Sequence, residues 1–247
     1  MQLRHWRRST PTTMITFDWL EQHAPVIAFM TGREEGDCGW EGCASGSRAT
    51  CLAQAPIPSE RLVALRQCHG DRIVVVQPQD AGRGSVDRAS ALADADGLIS
   101  WESNLPLAIN VADCVPVFLA GPGVCGLVHA GREGTAQHIA EKAVRELAEH
   151  DVLPESLYAL LGPSAGPCCY AVSPEMRANS VASGVSARGD HLDLWDTNYR
   201  QLVGAGVPAE HIHVSGICTI CQPGFFSYRG DATTARNMAV IMRRSGL

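Results

Sequence analysis

Apolar positions in this chain fall mostly into short runs bounded by Gly, Pro and acidic residues, a pattern that predicts strands more often than helices. Residues 26–31 (VIAFMT), 61–66, 72–77, 93–100 (ADADGLIS), 157–161 and 211–217 read as strands. The clearest signal lies in residues 112–135. There Val115, Val117 and Leu119 alternate before a Gly121-Pro122-Gly123 turn, and Val124, Gly126 and Val128 after it, which predicts a β-hairpin. Helical stripes are fewer. Residues 135–149 place Ile139, Ala143, Val144 and Leu147 on one face, Ser173-Pro174-Glu175 starts a helix with a Ser cap, and residues 48–54 and 194–203 complete the set. Residues 236–243 fit either a helix or a terminal strand. Residues 32–47 and 80–90 read as loops, 225–228 as an extended aromatic segment and 1–20 as a loosely held tail. Strands and helices mix without strict βαβ alternation, repeat or linker. The expected fold is therefore α+β: one layered domain over residues 21–247, with a mixed β-sheet core flanked by helices.

Composition narrows the function classes. Hydrophobic residues at 45% and charged residues at 19% describe a globular chain able to fold without a partner. A net charge of −6 gives no general attraction to nucleic acid or anionic lipid, and Arg4, Arg7 and Arg8 make only a short basic tail. No apolar segment is long enough to span a bilayer and the first residues lack a secretory core, so neither membrane nor nucleic acid is an expected partner and a cytoplasmic location is expected. The ten cysteines then read as thiols. Cys218-x-x-Cys221 has the spacing of half a structural zinc site, but the other close pair, Cys38 and Cys43, is more loosely spaced. Cys168-Cys169 and Cys218-x-x-Cys221 are accordingly expected to be reduced, mostly buried and outside any second metal site.

The candidate chemistry sits at the ends of the hairpin. Asp113-Cys114 precedes its first strand and His129 ends its second, so the turn can bring thiol and imidazole together as a metal site, a Cys-His nucleophile pair or two core residues. His69, between two strand-like runs and beside Gly70, suits a ligand or catalytic group on a rigid scaffold.

Gln67-Cys68-His69-Gly70, Ala112-Asp113-Cys114-x-Pro116, His129-Ala130-Gly131, Gly162-Pro163 with Cys169-Tyr170, Cys218-Thr219 and Phe226-Ser227-Tyr228-Arg229 occur in one order. Together they resemble the laccase-domain family, whose members appear as polyphenol oxidase, purine nucleoside phosphorylase and peptidoglycan editing factor. The resemblance implies zinc held by His69, Cys114 and His129, with copper as the alternative ion. Three ligands leave zinc an open position, where a water's pKa falls to about 7. It further implies phosphorolysis of adenosine, inosine, guanosine and 5′-methylthioadenosine, with adenosine deamination at the same site. In that reading Asp113 transfers a proton, and Gln67, Thr219, Tyr228 and Arg229 bind the nucleoside or phosphate, assisted by the N-terminus of the helix after His129. The chain departs from the family where Arg132-Glu133-Gly134 replaces W-R-G, where the S-L-N-L segment before Arg48 is missing, and where residues 229–236 read RGDATTAR. Four other functions use the same residues or fewer: a copper polyphenol oxidase, a zinc-free Cys114–His129 hydrolase, an editing hydrolase acting on cell-wall precursors, and a non-catalytic binding protein. Nine His with a single H-x-H, at His211 and His213, are too few for a multicopper centre. The pattern sets no oligomeric state.

Overall fold

The hairpin forms as expected. Val115–Gly121 and Val124–Ala130 pair antiparallel with Val117 opposite Val128 and Pro116 opposite His129, and Pro122 and Gly123 make the turn. Gly123 takes φ 73°, a left-handed conformation that glycine adopts without steric cost. The computed structural model describes residues 14–40, 47–55 and 57–245. In chain order its strands are β1 (Ile15–Thr16), β2 (Val26–Met30), β3 (Val63–Arg66), β4 (Ile73–Val75), β5 (Leu92–Ala93), β6 (Gly97–Ser100), β7 (Leu107–Val111), the hairpin strands β8 and β9, β10 (Tyr158–Leu161), β11 (Ser186–Arg188), β12 (His191–Asp193), β13 (Ile212–Val214) and β14 (Asn237–Arg243). The helices are α1 (Asp18–His23), α2 (Ser47–Gln54), α3 (Arg132–Ala136), α4 (Ile139–Ala148), α5 (Pro174–Ala182), α6 (Leu194–Gly204) and α7 (Tyr228–Asp231).

The fold is mixed α+β, with two six-stranded sheets rather than one. One runs β1-β2-β14-β7-β3-β5 and the other β13-β10-β8-β9-β6-β4, each combining parallel and antiparallel pairs. They stack face to face. Along β8, Phe118 and Ala120 point into the core between the sheets, where they join Leu65, Leu107, Ile109 and Ile241. Val115, Val117 and Leu119 point the other way, onto Ile139, Ala143, Val144 and Leu147 of α4 and Leu194 and Leu202 of α6. Burial on both faces is why this hairpin reads as nearly continuous apolar sequence.

Two expectations need correction. Residues 1–13 lie outside the described residues, but the rest of the expected tail is structural: β1 pairs with β2, and Phe17 and Leu20 are fully buried. Phe17 meets Phe118 edge to face at 4.7 Å, a long-range packing that local composition does not announce. Phe17→Ala should cost about 3 kcal/mol in denaturant unfolding, whereas a residue in a loose tail would cost nothing. Second, the helix expected over 135–149 is two: α3 and α4 meet at His138, whose φ of 63° breaks the helical path. Of the two readings open for the C-terminal run, the strand is the one formed: β14 is held between β2 and β7.

The site lies where the chain crosses between sheets. The β3–β4 connection carries His69 from one sheet to the other, and the β7–β8 connection carries Asp113 and Cys114 the same way. Both emerge beside the end of β9, where His129 stands.

Candidate functional site

His69, Cys114 and His129 converge: one ligand atom from each lies within 4.8 Å of the others. Donors arranged tetrahedrally about one zinc lie about 3.3–3.8 Å apart, so the group can close onto an ion with side-chain shifts on the order of an ångström. His129 is buried, Cys114 partly buried and His69 exposed, which leaves the group open on one side. His69 and Asp113 both have positive φ, 61° and 89°, in a backbone region that few non-glycine residues adopt. Strain of this kind gathers at functional sites when surrounding contacts enforce it.

Asp96 enforces it at His69. This fully buried carboxylate accepts the backbone N–H groups of Cys68, His69 and Gly70 at 3.2, 3.0 and 2.8 Å, and its Oδ1 lies 2.7 Å from Nδ1 of His129. One side chain thus folds the loop carrying one imidazole and orients the other, leaving Nε2 of His129 for the site. Burial pushes the Asp96 carboxyl up, but the bond to His129 and its charge, with the Cys68 and Gly70 donors, outweigh it and hold it at about 2. In the sequence Asp96 is only one of two acidic residues in the 93–100 run, with nothing local to mark it. Its later role depends on a β6–β9 register that sets Gly97 against Val128.

Cys114 and His129 polarise each other. Burial raises the Cys114 thiol, yet the His129 charge and hydrogen bonds from His129 and His69 bring it to about 6. Burial lowers His129, yet the Cys114 charge and the Asp96 bond bring it to about 9. Without an ion the pair is therefore a thiolate beside a protonated His129, and binding a metal would displace that proton to give a thiolate-imidazole donor set. Gly131 completes the cradle. A Cβ there would stand 3.2 Å from Cys114 Sγ and 3.3 Å from His69 Cδ2, against two of the three converging side chains. Since Gly131 has an ordinary φ of −72°, Gly131→Ala should leave the melting temperature nearly unchanged while weakening metal binding about 10-fold or more, read by competitive chelator titration.

The remaining expected residues divide into two groups. Asp113 accepts from Thr219 Oγ1 and Ser227 Oγ, each at 2.7 Å, and from the Arg229 backbone N–H at 2.7 Å. Both its oxygens are thus engaged in tying the hairpin to the C-terminal segment, an arrangement that positions rather than transfers protons. Thr219 is buried with its hydroxyl spent on Asp113, so it faces no ligand. Gln67 is held by a two-point amide contact with the Asn110 backbone, at 2.8 and 2.9 Å. Gln67, Tyr228 and Arg229 do line the cavity that also holds His69, Cys114 and His129. The helix expected to offer an anion site is α3, only five residues long, and its start carries the Arg132–Glu133 ion pair.

That cavity has a volume of about 910 Å³. Five arginines line it, Arg66, Arg88, Arg132, Arg229 and Arg236, against two carboxylates, Asp113 and Glu133. Trp40 and Tyr170 add aromatic walls, with the Arg229 guanidinium 5.0 Å from the Tyr170 ring centre. Sequence reading did not gather these residues, because they come from segments as far apart as 40 and 236.

A family model described as multi-copper polyphenol oxidoreductase laccase matches residues 38–244. The chain is 41% identical over 203 residues to purine nucleoside phosphorylase YlmD of Geobacillus stearothermophilus, covering 76% of this chain and 74% of the relative. It is 31% identical over 196 residues to adenosine deaminase RL5 of an unknown prokaryotic organism, covering 74% and 75%. The crystal structure of YlmD from Geobacillus stearothermophilus superposes with a TM-score of 0.89, over 98% of this chain and 99% of that one, at 31% identity.

Proposed function

Because the chain belongs to the multi-copper polyphenol oxidoreductase laccase family, we propose that it is a metal-dependent purine nucleoside phosphorylase that also deaminates adenosine. The observation that carries this reading is the His69, Cys114 and His129 group at the base of a cavity lined by five arginines. The relatives named phosphorylase and deaminase point to the same substrates. In phosphorolysis the glycosidic bond breaks, a phosphate oxygen takes its place on the sugar, and the purine leaves with a proton. In deamination water replaces the exocyclic amine, which leaves as ammonia.

His69, Cys114 and His129 would hold the ion, and zinc fits a donor set of two imidazoles and one thiolate. When bound, it supplies a Lewis acid beside the substrate and lowers the pKa of water there. The protein does the rest. Arg132 and Arg229 offer planar donor forks for phosphate, and Trp40, Tyr170 and Tyr228 offer flat surfaces for the purine. Asp113 keeps Arg229 in place through its backbone N–H.

Copper-based polyphenol oxidation has weaker support. A multicopper centre needs several His-rich sites, and among the described residues only two groups could hold an ion, one His₂Cys and one all-cysteine. His211 and His213 stack on Tyr158 and Trp19 instead. Incubating purified, metal-quantified protein with adenosine, inosine and guanosine, with and without phosphate, should give free base only when phosphate is present, and inosine from adenosine in either case. Chromatograms showing neither product would sink the proposal.

A further inference from the structure

Cys168, Cys169, Cys218 and Cys221 also converge, with one sulfur from each within 4.8 Å of all the others. The expectation that they are mostly buried fails: Cys218 is buried, but Cys169 is half-buried and Cys168 and Cys221 are exposed. The cause of the convergence is tertiary. Parallel pairing of β10 with β13 sets Leu161 against Val214, and the two chains run on side by side to a bridge between Ser164 and Cys218. The turn after Pro167 then faces the Cys218-x-x-Cys221 turn.

We propose that these four cysteines form a second, structural zinc site, separate from the His69 group and independent of the reaction assigned to it. Sulfurs placed tetrahedrally about zinc at about 2.3 Å sit about 3.8 Å apart. Here Cys168 Sγ lies 3.5 Å and Cys169 Sγ 2.8 Å from Cys221 Sγ, so an ion would seat with sub-ångström to ångström side-chain shifts. Cys218 Sγ accepts the Gly166 N–H at 3.3 Å, and the backbone N–H groups of Ile220 and Cys221 also donate to it. Three N–H groups aimed at one sulfur match a thiolate, which a metal ligand must be and a disulfide sulfur is not. Four sulfur donors without a carboxylate select zinc over magnesium or calcium.

The site has a consequence for the cavity. Thr219, between two of the ligands, donates to Asp113, and Tyr170, next to Cys169, lines the cavity wall. A metal here would clamp two loops on which the first site leans.

The test is metal stoichiometry with variants. Wild-type protein loaded with zinc and desalted should hold two ions per chain, His69→Ala one, Cys221→Ser one and the double variant none. Cobalt loaded into His69→Ala should show the intense thiolate charge-transfer and ligand-field absorption of a tetrahedral all-sulfur site. Because Cys221→Ser could unfold, alkylation of wild-type protein provides a second reading: zinc should protect Cys168 and Cys221, and a chelator should expose them, as mapped by peptide mass. A zinc-free His69→Ala protein after loading would overturn the proposal. So would iron in place of zinc, or an intact mass lower by two hydrogens per disulfide.

Discussion

His69→Ala should remove the catalytic ion and turnover together, with kcat/KM falling by about 10³-fold or more, equivalent to about 4 kcal/mol. The result discriminates between two uses of the same residues. If Cys114 is a metal ligand, its thiolate is committed to the ion, and His69, on the open side of the group, is as necessary as buried His129. If Cys114 is instead a nucleophile paired with His129, the shift of its thiol to about 6 already supplies a thiolate, and His69 is dispensable. A strong chelator should abolish activity, added zinc should restore it, and zinc should protect Cys114 from alkylation. Full activity in metal-free protein, together with an active His69→Ala variant, would establish the hydrolase reading.

Replacing Asp96 should damage both the fold and the site. Asp96→Asn keeps the shape of the side chain but removes a buried charge that three backbone donors and His129 share. Unfolding stability at neutral pH should drop by about 3 kcal/mol, and metal affinity by about 10- to 100-fold, because His129 loses the partner that fixes its ring. The acid dependence has a defined sign. Asp96 sits at about 2 in the folded protein, below the ordinary carboxylate value. Its contribution is therefore complete above about pH 4 and fades as pH falls toward 2. Denaturant unfolding of metal-free wild type and Asp96→Asn should show their stability gap closing over that window. A gap independent of pH would mean that the carboxylate is not held by these charge-assisted bonds.

Much of the site was legible because its residues lie at the ends of strongly patterned strands. The alternation through Val115, Val117 and Leu119 fixes which way β8 faces, and the Pro122-Gly123 turn fixes the register that brings His129 back beside Cys114. His69 was found as a polar residue next to glycine at a strand end. Asp96 was not, since nothing local separates a carboxylate that caps a strand from one that collects donors from a loop near residue 69.

Short-range periodicity and turn chemistry were enough to define strand-rich α+β structure, the central hairpin and the approach of Cys114 to His129, because each depends on residues close together in the chain; His69 joined them as a metal ligand only through the family resemblance. Tertiary structure decided that the large sheets are two, each six-stranded, that residues 14–20 pack against the core, that five arginines share one cavity, and that Cys168 and Cys169 meet Cys218 and Cys221. Each of these depends on pairing between strands or loops distant in the chain. The parallel β10–β13 pair illustrates the reason: its two members are both short apolar runs, and only the packing of α6 and the sheet around them selects the partner and register that place four sulfurs together.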